Sequence, residues 1–114
     1  MPHFIIDCSE NVLSIKPAEE ILQEVHDTAH KTKLFAKGDI KVRIRAFKHY
    51  TVGNTKADFI HVFGNIMEGR TTEQKANLSA EIIKKLKSIF ADVPVISINI
   101  LEFEKATYCN RKMV

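Results

Sequence analysis

The sequence contains few of the residues that restrict a protein to a special class. Its 114 residues include no tryptophan, four glycines, three prolines and two cysteines, Cys8 and Cys109. Two cysteines near opposite ends provide neither a zinc-ligand spacing nor a disulfide framework, which favours reduced thiols in a cytoplasmic protein. The five histidines have no ligand spacing with cysteine or acidic residues. We therefore expect no metal, and the sequence shows no nucleotide or flavin motif.

Long apolar runs are also absent. No run approaches the roughly 18 residues that a membrane-spanning helix needs, and no basic segment precedes an apolar stretch at the N-terminus, as it would in a secretory signal. The expectation is a cytoplasmic protein without membrane contact. The net charge of +3, from 17 Lys and Arg against 14 Asp and Glu, is too small to indicate nucleic acid. It still permits a local basic pocket that collects anions.

The first half of the chain shows a strand–helix–strand pattern. The segment "PHFIIDC" has the composition of a strand, and a helix is predicted from about Pro17, because proline is well tolerated in a first helical turn. The stretch "IKVRIRAF" then alternates apolar and polar residues with the period of a strand.

The second half repeats this pattern. A strand at "DFIHVFGNI" precedes a helix that opens at Thr71 and Gln74, which have capping-box spacing. This helix should end before Pro94, and "VISINILEF" again alternates. Corresponding positions, such as Pro2 and Asp58, are 56 residues apart. The prediction is one domain over residues 1–114 with a pseudo-repeat of residues 2–47 and 58–103.

These elements predict an α+β fold. Two βαβ units would form a four-stranded mixed sheet with both helices packed on one face. The other face would then be uncovered although its strands carry apolar residues, and an uncovered, partly apolar sheet indicates self-association.

The residue after the initiator methionine is a candidate base. If Met1 is removed, Pro2 becomes an N-terminal secondary amine, and burial or neighbouring cations would bring its pKa towards neutrality. A general base works best with a pKa near the operating pH. The alternative is that Pro2 is simply where the chain starts, as in many proteins without catalytic prolines.

Two basic segments could bind an anionic substrate. The period of a strand places Lys41, Arg43 and Arg45 on one face, which would be either a solvated surface or a wall that binds carboxylates. Gly69 and Arg70 precede a helix whose first N–H groups are free to face an anion. The alternative there is a glycine turn with an exposed arginine.

Taken together, these segments resemble a known family. "PHFI-x-x-CS-x-N" at the start and "MEGRTTEQ" after the third strand resemble the tautomerase superfamily, and within it the 5-carboxymethyl-2-hydroxymuconate isomerases. The resemblance spans the whole chain. It implies an isomerase without a cofactor, which moves a proton along a conjugated 2-hydroxydienoate.

The resemblance also implies roles for individual residues. The N-terminal proline of the family, here Pro2, is the general base, and the arginine before the second helix, here Arg70, binds and polarises the substrate. The family's Arg-x-Arg pair falls on Lys41 and Arg43, so the first position has a lysine, which keeps the charge but lacks a planar fork. Family members are trimers, so a homotrimer that binds a small anionic substrate is expected.

Three alternatives remain open from the sequence. One is a tautomerase for a different enol or keto acid, which the lysine at position 41 favours. The second is a non-catalytic binding domain, since a four-stranded sheet with two helices is also common in nucleic-acid binding; against it, such sheets usually expose stacking aromatics. The third is a structural trimer without catalysis.

Overall fold

The fold consists of a four-stranded sheet and two long helices. A computed structural model describes all 114 residues. No helix combines the length and apolar content that crossing a membrane requires. The elements in chain order are β1 (His3–Ser9), α1 (Val12–Ile15), α2 (Ala18–Lys31), a short 3-10 turn (Lys37–Asp39), β2 (Lys41–Phe47), β3 (Phe59–Met67), α3 (Thr72–Ile89) and β4 (Val95–Phe103).

The sheet is mixed, as the sequence predicted. Its strand order is β2-β1-β3-β4; β1 and β2 are parallel, β3 and β4 are parallel, and β1 pairs with β3 in the antiparallel direction. Paired residues of β1 and β2 are 38 positions apart (His3 with Lys41), whereas those of β3 and β4 are 36 apart (Phe59 with Val95). The two units therefore differ in register by two residues, which preserves the inward and outward alternation of the side chains.

The helix boundaries follow local chemistry. The helix α2 begins at Ala18, one residue after the predicted start, because Pro17 serves as its cap residue and its carbonyl accepts from the amides of Glu20 and Ile21. The predicted capping box of α3 is confirmed: the Thr71 side chain accepts from the Gln74 amide, and the Gln74 side chain accepts from the Thr71 amide. The one-turn helix α1 was not predicted, since a four-residue segment has no helical period to recognise.

One face of the sheet and the two helices enclose the core. Alternate residues of the central strands are fully buried, and they meet the apolar stripes of both helices. The core comprises Phe4, Ile6, Cys8, Val12, Ile21, Val25, Ala29, Phe35, Ile40, Ile60, Val62, Ile66, Leu78, Ile82, Leu86, Phe90 and Val93. Both helices thus lie on the same face, and the predicted fold class is confirmed.

The other face of the sheet is uncovered by any helix and is crossed by a row of polar residues. Arg45, Asp7, His61 and Ser97 are cross-strand neighbours in the order of the four strands. The His61 ring lies 2.6 Å from Ser97 Oγ through Nδ1 and 2.6 Å from Asn99 Oδ1 through Nε2. Both ring nitrogens of His61 therefore have polar partners on β4.

The sheet has two ends of different chemistry. We call the end where β1 and β2 begin and β3 and β4 end the proline end, and the opposite end the aspartate end. At the aspartate end the Asp58 carboxylate accepts from Ser9 Oγ at 2.8 Å and from Asn11 Nδ2 at 2.9 Å. Ser9 Oγ also accepts from the Phe59 amide at 3.2 Å. The "CS-x-N" segment therefore joins the first unit to the start of the second.

Candidate active site

The proline end collects the predicted site residues from both units. Pro2 is buried and directly precedes β1, and its carbonyl accepts from the amide of Lys41, the first residue of β2, at 3.0 Å. Because β1 and β3 are antiparallel with His3 opposite Asn65, the start of the chain lies beside the end of β3. Arg70 follows that end by three residues. The pairing of the strands thus places Pro2, Lys41 and Arg70 at the proline end of the sheet.

The terminal amine at the proline end lies near positively charged side chains. The Met1 amine donates to the Asp39 carbonyl at 3.2 Å, and Lys41 Nζ donates to the same carbonyl at 2.7 Å. Partial burial lowers the pKa of the Met1 amine, and the adjacent Lys41 lowers it further. The charge of Asp39 opposes this shift in part, and Arg70 adds a smaller lowering effect. An amine at this position is therefore held towards its neutral form, in which it can accept a proton.

Arg70 is held in place by contacts to both units. Its guanidinium donates to the Leu34 carbonyl at 2.5 Å and to the Met67 carbonyl at 3.5 Å, and it lies 5.0 Å from the centroid of the Phe35 ring. The preceding Gly69 has φ +121°, which L-residues rarely adopt, so the turn requires glycine. Two neutral acceptors and an aromatic ring position the guanidinium without neutralising its charge.

The three basic residues of β2 have different environments. Arg45 forms a two-pronged pair with Asp7, at 2.7 Å and 3.1 Å. Lys41 and Arg43 take part in none of the five ion pairs of the structure, and neither does Arg70. The three basic residues of this strand face are therefore not equivalent. The charge of Arg45 is balanced by Asp7, whereas Lys41 and Arg43 remain available to an anion.

His3 is a site residue that the sequence alone did not indicate. It lies opposite Lys41 in the β1–β2 register, and its Nδ1 is 3.0 Å from Arg43 Nη1. Burial, followed by the charges of Arg43 and Lys41, lowers the pKa of His3, so the neutral ring accepts a hydrogen bond from the guanidinium. The signal was hidden because it depends on strand pairing across 40 residues.

A pocket opens beside Arg70 at the proline end. It has a volume of about 400 Å³ and is lined by Lys33, Leu34, Met67, Glu68, Gly69, Arg70, Gln74 and Lys105. A larger groove, of about 500 Å³, lies between α2 and α3 on the outer surface. That groove has no apolar lining residue, and two of its lysines approach acidic side chains, Lys84 with Glu81 at 3.8 Å and Lys85 with Glu24 at 4.0 Å. It has the character of a solvated surface between helices.

Other ionisable groups have structural environments. Cys8 is fully buried in the core, and Lys75 pairs with Glu102 at 3.3 Å. No three His, Cys, Asp or Glu side chains converge as metal ligands. The chemistry that the proline end itself offers is proton transfer by an amine next to cations that can hold an anionic substrate.

Comparison with known proteins identifies the family of the chain. The family model described as 5-carboxymethyl-2-hydroxymuconate isomerase matches residues 2–112. A 5-carboxymethyl-2-hydroxymuconate Delta-isomerase of Escherichia coli is 24% identical over 106 residues, which cover 91% of this chain and 84% of the relative.

Solved structures show the same fold. A 5-carboxymethyl-2-hydroxymuconate isomerase from Deinococcus radiodurans R1 superimposes with a TM-score of 0.83 at 22% identity, covering 96% of this chain and 88% of the other. A fused 4-OT described as a symmetric trimer gives a TM-score of 0.81 at 14% identity, covering 98% and 94%. The chain is therefore an isomerase that belongs to the 5-carboxymethyl-2-hydroxymuconate isomerase family.

Proposed function

We propose that this isomerase moves a proton along a conjugated 2-hydroxydienoate, with Pro2 as the general base after removal of Met1. The observation that carries the proposal is the environment of the chain terminus, where a partly buried amine lies next to Lys41 and near Arg70 and no carboxylate pairs with either cation. With Met1 attached, the Pro2 nitrogen is an amide and has no basicity. With Met1 removed, the Pro2 nitrogen is a secondary amine at the proline end of the sheet.

The proposed reaction conserves all atoms of the substrate. The neutral Pro2 amine takes the proton of the 2-hydroxyl group, and the electron pair spreads along the diene as a dienolate. The resulting prolinium then returns the proton to a carbon further along the conjugated system, which forms the 2-oxo isomer and regenerates the neutral amine. The net change is the position of one proton and of the double bonds.

The cations have two roles in this mechanism. Arg70, Lys41 and Arg43 bind carboxylates of the substrate and stabilise negative charge as the dienolate forms. Lys41 and Arg70 also disfavour protonation of the amine, because a nearby positive charge raises the free energy of a second one. His3 would hold Arg43 in position from the adjacent strand.

The uncovered sheet face suggests a homotrimer. Leu101, on the edge strand, is 51% exposed in the single chain, and His61 and Phe63 are only partly covered there. Packing of this face against other copies would bury it, and the fused 4-OT structure of similar fold is described as a symmetric trimer. We expect sedimentation velocity to give a particle with three times the mass of one chain.

A second candidate substrate class is another enol, such as 2-hydroxymuconate or a phenylpyruvate-like keto acid. Lys41 supports this alternative, because its ammonium lacks the planar fork with which arginine grips a carboxylate. The chemistry and the roles of Pro2 and Arg70 would be the same.

The deciding experiment follows 5-carboxymethyl-2-hydroxymuconate by ultraviolet absorbance, with protein whose lack of Met1 is verified by intact mass. We expect turnover by the parent and a loss in kcat of about 10² or more for Pro2→Ala, the lower end of what a general base contributes. Equal kcat in Pro2→Ala would remove the base assignment.

A matched control inserts one alanine between Met1 and Pro2. This keeps every side chain of the site but converts the Pro2 nitrogen into an amide, so we expect it to be inactive while it folds and assembles like the parent. Turnover of 2-hydroxymuconate but not of 5-carboxymethyl-2-hydroxymuconate would support the proposed proton transfer and would change the proposed substrate.

A further inference from the structure

The helix α2 carries two histidines one turn apart. His26 and His30 are separated by four positions, and residues at that separation lie next to each other on one face of a helix. Their ring centroids are 6.3 Å apart, and the ring planes are inclined by 33°. The absence of cysteine or acidic partners at ligand spacing, from which no metal was expected, does not apply to a pair of histidines.

Both rings can be reached from solvent. The His26 side chain is 20% exposed, and His30 is an exposed residue. The His30 ring can therefore turn towards an ion without leaving a packed environment. The His26 ring is more restricted, because it has neighbours on two sides.

The neighbours of His26 resemble the outer partners of a metal-binding histidine. Its Nδ1 lies 3.3 Å from Asp27 Oδ1, and its Nε2 lies 3.3 Å from the Lys37 carbonyl oxygen. The same Asp27 oxygen accepts a hydrogen bond from Gln23 Nε2 at 2.8 Å, which holds the carboxylate in place. A histidine that binds a metal through one nitrogen usually donates the N–H of the other to a carboxylate or a backbone carbonyl. His26 has such a carboxylate beside its Nδ1.

Two imidazoles in this arrangement suit a divalent transition metal ion. In metal-binding helices, histidines four positions apart bind one ion from the same face. Imidazole nitrogen suits zinc, copper and nickel, whereas magnesium and calcium prefer oxygen ligands. A structural zinc site has four protein ligands. With two, water completes the coordination, so the ion would be held less tightly and would exchange with solvent.

We propose that His26 and His30 form a binding site for an exchangeable divalent transition metal ion, with Asp27 orienting the His26 ring. His26 would bind the ion through Nε2, which gives up its contact with the Lys37 carbonyl, while Nδ1–H donates to Asp27. His30 would supply the second imidazole. The site is independent of the proposed isomerisation, in which neither histidine takes part.

The test measures Ni²⁺ binding to untagged protein by equilibrium dialysis. Every protein carries Cys109→Ser, because the exposed thiol would be a competing ligand. We expect His26→Gln and His30→Gln each to weaken binding about tenfold or more, since one imidazole alone lacks the gain from a second ligand on the same molecule. Asp27→Asn should weaken binding about tenfold, the lower end of the loss caused by removing an outer partner. His49→Gln should bind like the parent, because the exposed His49 lies outside α2.

A matched control keeps all five histidines but changes the spacing of the pair. It combines His30→Gln with Lys31→His, which places the second imidazole on a different face of the helix. The exchange also removes a positive charge, so electrostatics alone would strengthen the binding of a cation. We therefore expect this control to bind as weakly as His30→Gln, and circular dichroism checks that it keeps the helix.

Three results would overturn the proposal. The first is a parent that binds Ni²⁺ no more tightly than the two single variants of the pair. The second is an equal loss in His49→Gln, which would indicate unspecific binding by exposed histidines. The third is a spacing control that binds like the parent, since the proposal requires both rings on one face.

Discussion

The two ends of the sheet shift acidities in opposite directions. At the proline end, burial and the charges of Lys41 and Arg70 lower the pKa of the terminal amine, which favours the form without a proton. Towards the aspartate end, burial and then the charges of Asp7 and Asp58 raise the pKa of the Cys8 thiol to about 11, which favours the form with a proton. One end therefore promotes a base, and the other suppresses a nucleophile.

The ends also differ in how their polar groups are satisfied. At the aspartate end, Asp58 is bonded by Ser9 and Asn11, so its charge serves the fold. At the proline end, Lys41 and Arg70 bond only neutral carbonyls, so their charges remain available to a ligand. Charge balanced within the chain indicates stability, and charge left unbalanced in a pocket indicates function.

Replacement of a proline-end cation should give the largest effect. We expect Arg70→Ala to lower kcat/KM by about 10²–10³, the usual cost of removing one donor that stabilises a developing anion. The comparison is made at equal folded fraction, because Arg70 also holds the Leu34 carbonyl.

Arg45→Ala is the matched control, since Arg45 is an arginine whose charge Asp7 already balances. Its kcat/KM should stay within about threefold of the parent, as for most surface substitutions. Comparable losses in both variants would mean that the two arginines do not differ as their pairing indicates.

The two cysteines should differ by about 10² or more in their rate of reaction with a disulfide at pH 8. The reason is that a pKa of about 11 leaves roughly one Cys8 in a thousand as thiolate. When native protein reacts with a chromogenic disulfide, we expect rapid release of one equivalent of coloured thiolate, from reaction at the exposed Cys109. A second equivalent should appear only after unfolding. Cys109→Ser should abolish the rapid phase. A rapid phase that survives this substitution would place Cys8 in contact with solvent.

Removal of the aspartate-end carboxylate should lower stability without affecting catalysis. We expect Asp58→Ala to reduce the free energy of unfolding by about 2 kcal/mol, at about 1 kcal/mol for each of the two hydrogen bonds that its carboxylate accepts. Urea denaturation measures the change, and kcat per folded molecule should match the parent. A variant as stable as the parent, or one that loses kcat, would break the division between the two ends.

The smallest expected effect is a shift in pH dependence. Because Lys41 lowers the pKa of the terminal amine, its removal makes protonation easier and the amine needs a higher pH to become neutral. We expect the ascending limb of kcat/KM in Lys41→Gln to move to higher pH, so that kcat/KM at a fixed pH on that limb falls below that of the parent. A limb that stays in place or moves to lower pH would contradict the electrostatic role of Lys41.

Much of the fold could be predicted from the sequence because local periodicity reported it. The alternation of "IKVRIRAF" and "VISINILEF" gave two strands, and Thr71 with Gln74 marked the start of α3. The helix α1 could not be predicted from the period of a single turn. Nor does the end of α2 carry a signal, because Lys33 stands where a glycine would have marked it.

The site was predictable only in part, because its finer features depend on partners distant in the chain. Pro2, Lys41, Arg43 and Arg70 stood out by residue type and by resemblance, and their roles remain proposals. The difference between Arg45 and Arg43 depends on which β1 residue faces each one, Asp7 or Ile5, with His3 reaching Arg43 from the side. Likewise, Ser9 and Asn11 served only as a family signature until the fold placed Asp58 beside them.

The central position of β1 sets an order of events during synthesis. Its neighbours in the sheet, β2 and β3, come later in the chain, so the first residues made are among the last to be enclosed. At translation rates of about 5–20 residues per second, roughly 3–12 s separate the synthesis of β1 from that of the end of β3. Under the proposed removal of Met1, the bond between Met1 and Pro2 would therefore be open to cleavage for seconds before the sheet closes around Pro2. Protein that folds with Met1 still attached would have missed that interval.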